Sequence, residues 1–189
     1  MDGSSFTFVS LIEQVGTISQ NDYRKVIKVV KPIEIEIEDK RIEIVPDDSF
    51  TIDCKISFDN KVIGEQNFIF SENQTCFEKD ISKARTFGFI KDLDLLHKIG
   101  LGKGVSLENS IGLDEEGVVN KDGLRYADEF VRHKVLDCIG DLYLAGARLQ
   151  GRVKSFKGGH AMNNKILRKL FSNPSAYVLI DPSKRLAAA

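Results

Sequence analysis

Hydrophobic and polar residues alternate strictly over the first part of the chain. Between residues 33 and 45 isoleucine alternates with charged residues, with a break at Asp39–Lys40 that predicts a turn. A period of two places every isoleucine on one face of a strand, so one face is buried and the other is solvated. The predicted strands span residues 26–30, 33–38, 41–45, 50–58 and 66–70. They are expected to form an antiparallel meander.

Helical spacing follows the strands. A short helix at 8–15 precedes them, and further helices are predicted at 72–84, 92–98, about 126–145 and from His160 to about Phe171. The glycine-rich stretch 100–107 is expected to start a strand, and residues 147–156 to form another. Strands early and helices late predict an α+β, two-layer domain, in which a mostly antiparallel sheet packs on two long helices.

Composition narrows the class of protein. The 189 residues are 42% hydrophobic and 29% charged, the balance of a globular domain that is not a membrane protein. No stretch approaches the roughly 20 apolar residues of a membrane span, and the N-terminus lacks the features of a secretory signal. Three scattered cysteines, Cys54, Cys76 and Cys138, argue against a disulfide framework. A cytoplasmic protein is expected.

The charge is distributed unevenly. The net charge of −1 excludes a strongly basic nucleic-acid binder, yet residues 121–189 hold 13 basic and 6 acidic residues. Such a basic segment could attract an anionic small molecule. Solvated helix faces rich in lysine explain the charge equally well.

The helix predicted at about 126–145 carries candidate chemistry. At ~100° per residue, His133, Asp137 and Asp141 lie within about 80° of one another, which predicts a polar stripe on the exposed side. The opposite side holds the apolar residues Val131, Val135, Leu136, Ile139, Leu142 and Tyr143. A histidine and a carboxylate at i and i+4 can bind one metal ion. A solvated His–Asp pair is the alternative, and spacing alone favours it.

A second histidine stands at the start of the last predicted helix, in the run Lys157-Gly-Gly-His160. Two glycines before a helix expose backbone N–H groups at its positive end, which suits a catalytic imidazole. His160 could equally be a third metal ligand, and the spacing does not decide between these roles. His97, near the end of a short helix, is expected at the surface.

Six longer runs carry a further signal. They are MDGSS at 1–5, ARTFGF at 84–89, NKDGLR at 120–125, DEFVRHKVLD at 128–137, IGDL at 139–142 and KGGHAMNNK at 157–165. Together they resemble the UDP-3-O-acyl-N-acetylglucosamine deacetylases, zinc hydrolases of lipid A biosynthesis in Gram-negative bacteria. The resemblance implies the second half of a duplicated β-α-α-β sandwich. It also implies zinc-dependent hydrolysis of the acetamide of a UDP-linked acylated amino sugar in the cytoplasm.

The resemblance assigns roles to the polar residues. His133 and Asp137 correspond to two of three zinc ligands. His160 corresponds to the general acid that protonates the leaving amine, and Asp141 to the carboxylate that orients it. Thr86 corresponds to a hydroxyl donor to the oxyanion.

Substrate contacts are implied in the same way. Lys134 and Lys157 correspond to contacts with the anionic nucleotide-sugar, Phe58 to the ring on which uracil stacks, and Phe87 to a further substrate contact. An inserted segment at about 90–120 corresponds to a hydrophobic passage for the acyl chain. The residues assigned to this passage are Leu93, Gly102, Val105, Ser106 and Gly112.

The resemblance also implies an incomplete site. Residues 1–18 correspond to the end of a first domain, 19–175 to the C-terminal deacetylase domain and 176–189 to a tail. The remaining zinc-binding histidine and a glutamate general base belong to that first domain, so these 189 residues are expected to be nearly inactive alone. The uncovered helix face, with Phe130 as a candidate, is expected to drive self-association. The alternatives are a non-catalytic domain that binds nucleotide and acyl chain, and a structural domain.

Overall fold

The computed structural model describes residues 2–181, so Met1 and residues 182–189 of the predicted tail lie outside the described residues. The helices are α1 (Phe6–Val15), α2 (Phe77–Asp80), α3 (Leu93–Lys98), α4 (Glu129–Leu142) and α5 (His160–Phe171). The strands are β1 (Val26–Val29), β2 (Ile33–Ile37), β3 (Lys40–Val45), β4 (Phe50–Ser57), β5 (Glu65–Ser71), β6 (Phe87–Phe89), β7 (Ile111–Leu113), β8 (Arg148–Phe156) and β9 (Tyr177–Ile180). Short 3₁₀ turns occupy Ile90–Asp92, Tyr143–Ala145 and Pro174–Ala176.

Strand β8 is the centre of the main sheet, which has seven strands within residues 2–181. It pairs antiparallel with β3 and parallel with β4 and β1. The remaining strands add antiparallel neighbours: β2 pairs with β3, β5 with β4 and β9 with β1. At Gly151, where β8 changes partners, a Cβ would lie 3.1 Å from the Val45 carbonyl oxygen and 3.3 Å from the Val29 Cβ. The close approach of three strands explains the glycine.

The predicted meander was therefore wrong in part. Only the β2–β3 and β4–β5 hairpins join consecutive strands, because β3 and β4 both pair with β8. Strand β9 was not predicted and lies within the stretch 176–189 that was assigned to the tail. Its four residues are too short for a clear period-two pattern, and such a segment becomes a strand here through its pairing with β1 at the edge of the sheet.

The two longest helices cover one face of the sheet. Helix α4 packs on β4 and β5, and α5 packs on β2 and β3. The buried isoleucines Ile42, Ile44 and Ile52 of the sheet share one core with Val135 of α4 and Ile166 of α5. The predicted α+β, two-layer domain with a mostly antiparallel sheet is confirmed.

Two predicted elements are different in the structure. The helix expected at 72–84 is reduced to the single turn α2. Before it the Thr75 N–H donates to the Ser71 carbonyl in a turn, and after it the Ser82 N–H donates to the Phe77 carbonyl because the Ser82 hydroxyl occupies the Glu78 carbonyl. Residues 100–107 form turns and not a strand. The Asn109 side chain bonds the Ser106 N–H and the Gly104 carbonyl, which removes backbone groups that a strand would need.

A smaller unit lies beside the main sheet. Strands β6 and β7 pair in parallel, and α3 lies between them in the chain. This unit holds part of the segment 90–120. Within residues 2–181, none of the helices has the length and apolar character needed to cross a bilayer.

Thiol reactivity tests the packing. All three cysteines are free, and burial raises the pKa of Cys54 to about 12 and that of Cys138 well above its ordinary value. Cys76 is exposed. Since thiolates react and buried thiols do not, iodoacetamide is expected to modify Cys76 alone in the native chain and all three thiols after denaturation. Native Cys76→Ser should incorporate no label, and labelling of that variant would contradict the packing around α4 and β4.

Candidate functional site

Four polar side chains from two helices form one connected cluster. Helix α4 supplies His133, Asp137 and Asp141, and the first turn of α5 brings His160 against them. His133 Nε2 lies 3.3 Å from Asp137 Oδ1, and His160 Nδ1 lies 2.8 Å from Asp141 Oδ2. His160 Nε2 is 3.8 Å from Asp137 Oδ2, so the two pairs share one site. The structure thus brings together two regions that residue spacing alone did not connect.

The cluster is less exposed than the helical spacing predicted. His133 is only 8% exposed, so its expected place on the exposed side was wrong, whereas His160 is 69% exposed at its side chain. The chain around Ala84 and Phe87 covers His133. Tyr143 was expected on the apolar side but is 63% exposed, because the α-helix ends at Leu142 and a 3₁₀ turn follows.

The surroundings of His133 determine which of its nitrogens faces the site. Its Nδ1 lies 3.4 Å from the Ala84 carbonyl oxygen, which can only accept a hydrogen bond. Burial lowers the pKa of His133, which favours the neutral ring. With the proton on Nδ1, the Nε2 lone pair lies next to the Asp137 carboxylate. Two acceptors in contact favour a cation between them.

This pair fits part of a zinc site. Imidazole nitrogen and carboxylate oxygen are both zinc ligands, and a catalytic zinc takes three protein ligands and a water molecule. Within the described part of the chain, no group of three or more His, Cys, Asp or Glu side chains is arranged to hold a metal ion. His133 and Asp137 therefore fit as two ligands of a site that needs a third.

Asn163 completes the partners of Asp141, and the sequence analysis missed it. Asp141 Oδ2 accepts hydrogen bonds from His160 Nδ1 and from Asn163 Nδ2, each at 2.8 Å. Asn163 is buried, and its Oδ1 has no hydrogen-bond partner among the described residues. A signal was present in the sequence, because Asn163 lies in the apolar stripe of α5 with Ile166 and Leu170.

Phe87 links the cluster to the residues assigned to the nucleotide. Its ring centroid is 5.8 Å from that of Phe58 and 6.3 Å from that of His133. Lys134 Nζ lies 5.5 Å from the Phe87 centroid and 3.0 Å from Asp137 Oδ2. Lys157 lies on the turn after β8 and instead pairs with Asp39 at 2.7 Å; this hydrogen bond raises the pKa of Lys157.

An apolar cavity of about 460 Å³ extends from the same place. Thr86 and Phe87 line it, so it begins in the chain segment that covers His133. Four of the residues assigned to the acyl passage also line it, namely Leu93, Val105, Ser106 and Gly112. Gly102 is not among its described lining residues, and its carbonyl lies 3.1 Å from His97 Nε2.

Phe130 was wrongly expected to be exposed. Its side chain is fully buried and its ring lies 5.0 Å from that of Phe87. Large exposed apolar residues occur instead on α1, where none of the residues is buried. They are Phe8, Leu11, Ile12 and Val15. Self-association through an uncovered face remains a prediction, and α1 offers one apolar face that could support it.

A buried ion pair lies under the segment that covers His133. Arg85 Nε and Nη2 donate to the two oxygens of Glu129 at 2.9 and 3.1 Å. Burial by itself raises the pKa of Glu129, but the hydrogen bonds from Arg85 and the Arg125 N–H outweigh this effect and leave the pKa lowered. Sequence spacing gave no indication of this pair, because its members are 44 positions apart.

Comparisons with known proteins found a matching family model and curated relatives. A family model described as "LpxC: UDP-3-O-acyl N-acetylglycosamine deacetylase" matches residues 1–172. Curated relatives include the UDP-3-O-acyl-N-acetylglucosamine deacetylases of Francisella tularensis subsp. tularensis (strain SCHU S4 / Schu 4) and subsp. holarctica (strain LVS). Each is 47% identical over 182 residues, which are 95% of this chain and 63% of the relative. The chain thus spans less than two thirds of the length of these relatives.

Proposed function

Since the chain belongs to the UDP-3-O-acyl-N-acetylglucosamine deacetylase family, we propose that it supplies part of the active site for zinc-dependent hydrolysis of the acetamide of UDP-3-O-acyl-N-acetylglucosamine in lipid A biosynthesis. The observation that carries the proposal is the cluster of His133, Asp137, Asp141 and His160 at the start of an apolar cavity. The chain's three free cysteines agree with a location in the reducing cytoplasm.

His133 and Asp137 are the residues that would hold the zinc ion. When bound, zinc acts as a Lewis acid toward the amide carbonyl and makes water more acidic. The Ala84 carbonyl keeps the His133 proton on Nδ1, so Nε2 is available as a ligand. We place the third ligand and the general base outside these 189 residues.

His160 is the proton donor in this proposal. Asp141 accepts the hydrogen bond of Nδ1, which fixes the ring and leaves Nε2 directed to the Asp137 side of the site. A proton on Nε2 can then pass to the nitrogen of the leaving amine. The Asp141 carboxylate stabilises the charged imidazolium before transfer, as the aspartate does in a Ser-His-Asp triad. Asn163 holds the same carboxylate oxygen in place.

The remaining residues would bind the substrate. Thr86 lines the cavity, and the Ile111 N–H donates to its backbone carbonyl, so the residue is held where its hydroxyl could donate to an oxyanion. Phe58 offers a partly exposed ring beside Phe87 for uracil. Lys134 would leave Asp137 to bind the anionic nucleotide-sugar. Lys157 would leave Asp39 to bind it as well. The apolar cavity would take the acyl chain.

The experiment measures acetate release from UDP-3-O-acyl-N-acetylglucosamine by the purified chain with excess zinc. Two ligands leave a zinc ion weakly bound, so negligible turnover is expected from the chain alone. Adding the portion of the Francisella deacetylase that the match does not cover, as a second polypeptide, should restore turnover. A parallel mixture with His133→Ala should stay inactive.

Two outcomes would contradict the proposal. Robust turnover by the chain alone would mean that Asp141 or His160 completes the zinc site. A mixture that binds the nucleotide-sugar but never releases acetate would favour a non-catalytic binding domain.

A further inference from the structure

We propose that the buried pair of Arg85 and Glu129 positions the site: it holds the Ala84 carbonyl against His133 and keeps Thr86 at the cavity. Arg85 lies between Ala84 and Thr86 in the chain, and Glu129 is the first residue of α4. The catalytic meaning of this role rests on the proposed function. The positioning itself can be tested without it.

Each oxygen of the Glu129 carboxylate accepts two hydrogen bonds. The side chains of Arg85 and Glu129 are 3% and 0% exposed. Glu129 Oε1 accepts from Arg85 Nε at 2.9 Å and from the Arg85 backbone N–H at 3.0 Å. Glu129 Oε2 accepts from Arg85 Nη2 at 3.1 Å and from the Arg125 N–H at 2.6 Å. Arg85 Nη2 also donates to the Gly123 carbonyl at 2.8 Å.

These contacts connect the covering segment to the helix that carries the site. The bond from the Arg85 backbone N–H acts on the same peptide unit whose carbonyl, that of Ala84, faces His133 Nδ1. His133 is one helical turn after Glu129, so one carboxylate determines the distance between the Ala84 oxygen and the imidazole. Thr86 follows Arg85 directly, so the bond that fixes the Arg85 backbone also fixes the position of Thr86.

Stability alone does not account for this pair. A buried ion pair is often no more stabilising than apolar side chains of the same size, because both charges lose their water. An apolar pair would, however, leave the Ala84–Arg85 peptide without its tether to α4. The guanidinium's fork geometry matches the carboxylate, whereas a lysine provides a single point charge. The identity of Arg85 therefore matters for geometry more than for charge.

The test compares Arg85→Lys with Arg132→Lys. Arg132 also anchors α4, through Asp128 at 2.6 Å and the Asp80 carbonyl at 2.7 Å, and none of its described hydrogen bonds, ion pairs or ring contacts involves residues 84–86. The readout is the ¹⁵N NMR spectrum of the His133 ring in the metal-free chain, at a pH where the ring is neutral. The wild type and Arg132→Lys are expected to show a single tautomer with the proton on Nδ1. Arg85→Lys should show a mixture of tautomers.

The outcomes separate positioning from a structural role. A purely structural pair would lower the unfolding midpoint in both variants and leave the tautomer unchanged, which would overturn the proposal. A wild-type ring without the proton on Nδ1 would overturn it as well, even if no variant folds. Glu129→Asp, which keeps the charge but shortens the carboxylate arm, serves as the second variant and should also give mixed tautomers.

Activity distinguishes this proposal from the proposed function. In the mixture with the Francisella portion, Arg85→Lys should lower kcat by about 10–100-fold, the usual cost of losing the partner of a metal-binding histidine, with little change in KM. Arg132→Lys should leave kcat unchanged. Wild-type protein that shows the single tautomer but never releases acetate would overturn the proposed function and leave the positioning role intact.

Discussion

Replacing His160 by glutamine is expected to lower turnover of the restored deacetylase by about 10²–10⁴-fold, the range for loss of a general acid. The zinc content should stay near that of the wild type, because His160 is bonded to Asp141 and is not one of the two residues placed at the metal. Turnover is measured as acetate release, and bound zinc is measured after removal of free metal.

Two further histidine variants serve as controls. His133→Gln should lose the metal as well as turnover. His97→Gln should change neither, because His97 is exposed and bonds only the Gly102 carbonyl among the described residues. Equal loss of zinc in the His160 and His133 variants would mean that His160 is a ligand and that its assignment as proton donor is wrong.

Phe130→Ala is expected to lower the free energy of unfolding by about 3–5 kcal/mol, the cost of removing a buried aromatic ring and leaving a cavity. The ring is fully buried and lies edge-to-face on Phe87. Urea denaturation measures the change, provided that the m-value, the slope of the free energy of unfolding against urea concentration, is the same in both proteins. Phe8→Ala is the matched control, since Phe8 on α1 is exposed, and its effect should stay within about 0.5 kcal/mol.

A small effect of Phe130→Ala would support the exposed position that the sequence analysis expected for Phe130. The substitution also removes the ring that packs against Phe87, and Phe87 lies between Phe58 and His133. The stability measurement therefore also tests the arrangement of the site.

Most strands of the main sheet could be predicted from the sequence because their signal is local, whereas the short strands β6, β7 and β9 were missed. Alternating isoleucine and glutamate located β2 and β3, and their hairpin follows from the short turn at Asp39 and Lys40. The insertion of β8 between β3 and β4 could not be predicted, because its register depends on residues more than 90 positions away. Local periodicity carries no information about such pairing.

The candidate site could likewise be predicted where its signal is local to one helix. Helical spacing places His133, Asp137 and Asp141 on one side of α4, and the structure keeps them together with His160. The burial of His133 was not predictable, because the covering chain around Ala84 comes from another part of the sequence. Arg85 and Glu129 were missed for the same reason.

The central position of β8 also constrains how the chain folds. Its partners β1, β3 and β4 are synthesised first, yet they cannot pair with β8 until it has been made. Ile42 pairs with Ser155, and Val26 pairs with Arg148. Contacts between residues so distant in the chain slow folding, because loop-closure entropy must be overcome before the pairing stabilises the sheet. A nascent chain that ends before residue 148 would carry two hairpins with unpaired edges, which are prone to aggregation. The sheet can therefore close only late in synthesis.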